Sequence, residues 1–131
     1  MNPAGSLDRL AAAKYLHQRH RGAVDAPGDD IDPGSFQLDL FWLQSRALEA
    51  MDRRSERSAK RCFVSIHRVL AEGDVEVRDA VFHHFLYPHL VHHVELEWAR
   101  QLMPPELARA CTVLAKALKE KRERFEADDP R

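Results

Sequence analysis

The chain has 131 residues, 44% apolar and 31% charged, with five glycines and seven prolines, the composition of one soluble globular domain. At this length about 65–70% of the unfolded surface can be buried, so the fold needs no disulfide or structural metal, and a disordered tail, a collagen and a disulfide scaffold are excluded. Twenty basic against twenty-one acidic side chains leave a net charge of −1, so no global field favours nucleic acid or an anionic membrane.

Helical patterning runs nearly throughout. Ser6 can cap a first helix from Leu7 to about Arg21, with Leu10, Ala11 and Leu16 on its stripe and Gly22 as its stop. Residues 23–34 form a loop of turn formers in which Asp25, Asp29, Asp30 and Asp32 meet no base. A second helix starts near Ser35 and places Phe36, Leu40, Leu43, Ala47 and Met51 on one face, which Phe41, Trp42 and Leu48 widen. A helix so apolar must be packed on more than one side. After the turn at Met51–Ser55, a third helix carries Ala59, Cys62, Phe63, Ile66, Val69 and Leu70 and stops at Gly73; Asp74 then caps a fourth, with Val77, Val81 and Phe85 inward.

Tyr87-Pro88 interrupts the pattern, because proline disfavours helical geometry in the residue before it. A fifth helix is predicted from His89 to Leu102 with Val91, Val94, Trp98 and Leu102 inward, and Pro104-Pro105 opens a sixth with Leu107, Cys111, Leu114, Leu118 and Phe125 inward. The tail at 127–131 is expected to fray. No segment shows strand alternation with hairpin chemistry. The predicted fold is all-α: one domain, 1–131, of about six helices packed as antiparallel hairpins.

Compartment follows from three absences. No basic start precedes a long apolar run at the N-terminus, so no secretory signal is expected. The window Val81–Val94 contains five histidines and a proline, too polar to span a membrane. Cys62 and Cys111 have no metal spacing and no local activating base, which predicts two reduced, buried thiols in a cytoplasmic protein.

Residues 58–86 resemble a HEAT-type helical hairpin, through the turn Gly73-Asp74, Val77-Arg78 and the small-residue position Ala80-Val81. The order of elements, with Asp74-Val75-Glu76-Val77-Arg78, Phe85-Leu86 and the run Leu96–Pro104 containing Trp98-Ala99 and Met103-Pro104, is similar to small all-helical bacterial proteins, some of which are immunity partners of secreted toxins. What that resemblance implies is a protein that works by occupying another protein's surface.

Histidine is the main anomaly, eight in all, five of them between residues 83 and 93. On a continuous helix His89, His93 and Glu97 would share a stripe and could bind zinc or another divalent ion, so a metal-dependent helical-bundle enzyme is the alternative reading. A pH-sensitive surface is a further expectation, since histidine titrates near neutrality. Ser65 and His67, two apart on a helix, point away from each other and make no nucleophile pair. Arg53, Arg57 and Arg61 recur every four residues on one face, but neither helix-turn-helix patterning nor a stacking platform accompanies them, so nucleic acid is not favoured. Trp42 and Tyr87 sit off the main stripe or at a turn and are the expected interface anchors, whereas Phe36, Phe41, Phe63 and Phe85 are expected in the core. The sequence is therefore read as a non-enzymatic module without cofactor that binds a protein, the favoured partner being a cognate toxin. Asp25, Asp29, Asp30, Asp32, Arg53, Arg57, Arg61, Trp42 and Tyr87 are its expected contacts.

Overall fold

The computed structural model describes residues 5–20, 35–87 and 89–127. Six α-helices follow in order: α1 (Arg9–Arg19), α2 (Ser35–Arg53), α3 (Glu56–Glu72), α4 (Val75–Val81), α5 (Leu96–Arg100) and α6 (Pro105–Ala127), with a single π-helical turn at Phe82–Leu86 continuing α4. No strand occurs among the described residues. The all-α fold is that predicted; the acidic segment Asp25–Asp32 and the tail 128–131 lie outside the described residues, as does Pro88.

Helix α2 is the axis of the domain and packs against α1, α3, α4 and the π-turn. Its stripe Phe36, Leu40, Leu43, Ala47 and Met51 is fully buried, and meets Leu16 of α1, Phe63, Ile66 and Val69 of α3, Val77 and Val81 of α4, and Phe85 and Leu86 of the π-turn in one core. Burying side chains of this size stabilises by about 1.5–3 kcal/mol each. Helix α6 lies on α3 through its first turns, burying Leu107 and Cys111 while Leu114 and Leu118 are half-buried.

The predicted Ser6 cap of the first helix is corrected. Helix α1 starts at Arg9 rather than Leu7, because the cap is Asp8, whose carboxylate accepts the Ala11 N–H at 2.8 Å. Leu7 is thereby released to pair with the α3–α4 turn: its N–H donates to the Glu72 carbonyl at 2.9 Å, and its carbonyl accepts the Asp74 N–H at 2.8 Å. The predicted cap of α4 is formed as expected, Asp74 Oδ1 accepting the Val77 N–H at 2.9 Å.

The fifth helix is the larger correction. Residues 89–95 are turns, and only Leu96–Arg100 is helical. The His93 ring accounts for the break: Nδ1 accepts the Glu95 N–H at 2.9 Å, while Nε2 donates to Asp52 at 2.7 Å, a side-chain alternative that competes with helical bonding. Val94, expected inward, is 91% exposed; Val91 is buried as expected, and Leu90 is buried with it. The α2–α3 turn is fastened to the same region. Arg54 there has a left-handed φ of 53°, costly for a residue with a Cβ. Its Nε donates to Glu95 at 2.8 Å and its guanidinium lies 5.8 Å from the Trp98 ring centroid.

Gly73 caps the other end of α3, in the turn with which Leu7 pairs. A Cβ there would overlap the Val77 side chain and lie 2.5 Å from the Val69 carbonyl oxygen. Gly73→Ala is expected to destabilise the fold by about 1–3 kcal/mol, as overpacking does, measured by denaturant unfolding; an unchanged midpoint would show that the turn is looser than its contacts imply.

Candidate partner-binding site

The outward side of α2 begins with Gln37, Leu38, Phe41 and Trp42, which the inward stripe leaves on the opposite face. Leu38 and Phe41 are 53% exposed, and Trp42 is 42% exposed. Phe41 and Trp42 meet edge to face with centroids 5.8 Å apart, a favoured aromatic geometry. Phe41 was expected in the core; adjacent positions on a helix are 100° apart, so with Leu40 inward and Trp42 beside it, residue 41 is carried past the edge of the buried stripe.

The π-turn supplies the facing wall. In this turn the Tyr87 N–H reaches back five residues to the Phe82 carbonyl at 3.0 Å, and the Val91 N–H likewise reaches Leu86 at 3.1 Å. The displaced Phe85 carbonyl is taken up by α2: Gln44 Nε2 donates to it at 2.7 Å, both residues being buried. Between the two walls lies an open cleft of about 650 Å³, with Leu38, Phe41 and Tyr87 as apolar sides and His83, His84 and His89 at its edge. Tyr87 is 40% exposed and meets His92 edge to face. Isolated π-turns are found disproportionately at functional sites.

Beneath this face, two polar pairs join α1 to its neighbours. His17 Nε2 donates to Asp39 Oδ1 of α2 at 2.9 Å, and His20 Nε2 bonds Ser65 Oγ of α3 at 2.7 Å; all four residues are buried. The Ser65 hydroxyl donates to the Arg61 carbonyl at 3.1 Å, so with one proton to give it accepts from His20. Ser65 is thus a serine–histidine pair with the proton pointing away from the imidazole and no exposed surface, an arrangement that holds helices together rather than one that attacks a substrate. Burial, and then the charges of Arg61, Arg19 and Arg46, lower the His20 pKa to about 4. Burial also pushes the Cys62 thiol up to about 11 and Cys111 up to about 12, which makes both poor nucleophiles.

The structure brings Trp42 and Tyr87 to one surface through Phe41. It separates them from the arginine stripe, since Arg53 stands 12 positions after Phe41 on α2, about 18 Å along its axis. Arg53 pairs with Glu49 at 3.1 Å, Arg61 donates to the Arg19 carbonyl at 2.8 Å, and Arg57 is exposed. Asp25, Asp29, Asp30 and Asp32 lie outside the described residues. The stripe His89, His93 and Glu97 does not form, because residues 89–95 are not helical: His89 faces the cleft, His93 is held by Asp52, and Glu97 pairs with Arg100 at 2.8 Å. Among the described residues no group of three or more His, Cys, Asp or Glu is placed to hold a metal ion. Leu38, Phe41, Gln44, His83 and His84 were not singled out as contacts. The available signal was that Leu38 and Phe41 fall off the 4-3-4-4 spacing of the buried stripe.

The described residues define a small all-α domain with an exposed cleft that has aromatic sides. Residues 19–119 match the family described as Domain of unknown function (DUF7674), and the chain belongs to that family. No curated protein and no solved structure matches it. No helix among the described residues is long and apolar enough to cross a membrane.

The His20 site carries a pH dependence of known direction. Above pH 6.5, the ordinary histidine value, the side chain is neutral in both folded and unfolded chains. As pH falls below 6.5 the unfolded chain binds a proton that the folded one refuses until about pH 4, so stability declines through that window. Between pH 7.5 and 5 the loss from this residue is about 1–2 kcal/mol. Urea unfolding of the wild type and His20→Asn over that range should show a shallower decline in the variant; parallel curves would contradict the assignment.

Proposed function

We propose that the chain is a non-enzymatic protein-binding module whose docking surface is the outer face of α2 with the π-turn. The observation that carries this reading is the grouping of Leu38, Phe41 and Tyr87 around one cleft, with Trp42 packed edge to face on Phe41, all four exposed, whereas the other aromatic side chains among the described residues are buried in the core or half-buried against it. Tryptophan and tyrosine anchor binding hot spots because they bring large contact area at small conformational cost, and they work best where surrounding contacts exclude water. A cleft bordered by such residues meets that requirement.

The partner class we propose is a cognate toxin in the bacterial cytoplasm, as the resemblance to small helical immunity proteins implies. Neutralisation is then steric: the partner's functional surface is covered by the α2 face. The structure divides the three arginines between two helices, Arg53 ending α2 and Arg57 and Arg61 lying in the first turns of α3; in this reading they act at a distance from the cleft by steering an acidic surface toward the complex, which changes association rate more than complex lifetime.

The test is binding to, and protection from, the protein encoded immediately beside this one. Phe41→Ala/Trp42→Ala is expected to weaken binding by about 100-fold or more, since each hot-spot truncation costs about 2 kcal/mol, with an unchanged melting midpoint because both residues are exposed. Wild-type protection by the double variant would overturn the reading, as would loss of binding on reversing the three arginines while the aromatic variant still binds.

A further inference from the structure

The eight histidines divide by their partners. His17, His20, His67 and His93 bond Asp39, Ser65, Glu106 and Asp52 respectively, and His92 meets the Tyr87 ring. The remaining three, His83, His84 and His89, form no hydrogen bond or ion pair with any described residue, and all three converge on the cleft. Among the described residues lining that cleft there is no aspartate, glutamate, lysine or arginine; its sole α2 polar groups are the neutral amides of Gln37 and Gln44, the latter already donating to Phe85.

This distribution discriminates between ligands. A carboxylate brought to the rim would meet imidazole N–H donors and, among the described residues lining the cleft, no competing anion; charge-assisted bonds of this kind are about twice as strong as neutral ones. A lysine or arginine would meet no carboxylate among the described residues of the lining and would lose hydration without recompense from them. The apolar sides, Leu38, Phe41 and Tyr87, offer surface against which a bulky apolar side chain would be buried.

We propose that the cleft docks an acidic segment of a protein partner, one bulky apolar side chain entering between Leu38, Phe41 and Tyr87 while a neighbouring carboxylate accepts from His83, His84 or His89. The inference rests on the protein-binding reading above and specifies its chemistry. Charge complementarity selects the segment; the aromatic walls supply the burial.

Three fluorescein-labelled 12-residue peptides, each with a central tryptophan flanked on both sides by glutamate, glutamine or lysine, would be titrated with the whole chain at pH 6.0, with 3-phenylpropanoate as a free-carboxylate control. The glutamate peptide should bind at least 10-fold tighter than the glutamine peptide, and the lysine peptide weakest. His83→Gln/His84→Gln/His89→Gln should abolish that preference while leaving glutamine-peptide binding, and Phe41→Ala should weaken all three. Equal binding of the three peptides, an undiminished preference in the triple variant, or 3-phenylpropanoate binding as tightly as the glutamate peptide would overturn the proposal, the last by making the cleft a small-molecule site. Absence of peptide binding also overturns it. If the Phe41/Trp42 variant still loses the neighbouring protein in that case, the protein-binding reading stands and only the acidic-segment assignment falls.

Discussion

The hydrogen bond from Gln44 to the Phe85 carbonyl ties the cleft to the core. A π-turn lengthens the return bond to five residues and leaves carbonyls misdirected, and a buried carbonyl without a donor costs about 1–3 kcal/mol. Gln44 meets that need from α2 at 2.7 Å across 41 positions of sequence. The same bond sets the distance between the two walls, since Phe41 precedes Gln44 by one turn of α2 and Tyr87 follows Phe85 by two residues.

The remaining polar interior acts on α1. His17–Asp39 and His20–Ser65 secure one short helix to both α2 and α3, and the Leu7 pairing with the α3–α4 turn holds the residues just before it. Buried polar pairs add little net stability when intact and cost several kcal/mol when one partner is lost. They therefore specify the position of α1 more than they strengthen the domain. Because α2 carries both the Asp39 pair and the cleft, the geometry of the outer face is inherited from a helix fixed on several sides.

Where one periodicity controlled the outcome, the sequence was legible. The stripe Phe36, Leu40, Leu43, Ala47 and Met51, the Asp74 cap and the Gly73 stop all follow from local rules, and each stands where those rules put it. The exposure of Trp42 and Tyr87 was legible because one lies off the main stripe and the other at a turn. The failures involve long-range partners: Asp52, distant in sequence, captures His93 and contributes to ending a helix that the pattern of Val91, Val94 and Trp98 supported. Phe41 was misjudged because hydrophobicity alone cannot separate a core position from an exposed one at the edge of the same face. The cleft itself depends on a π-turn, for which the alternation of apolar residues between Val81 and Leu86 carries no signature.

The central claim is that the outer face of α2 and the π-turn meet a protein. Amide hydrogen exchange of the whole chain, with and without the protein encoded beside it, tests this most directly because it maps the covered surface without altering a residue. The account predicts slowed exchange in segments 36–45 and 82–90, with the C-terminal half of α6 unchanged. Protection confined to α6 or to the α2–α3 turn around Arg53 and Arg57, with the cleft unaffected, would contradict it.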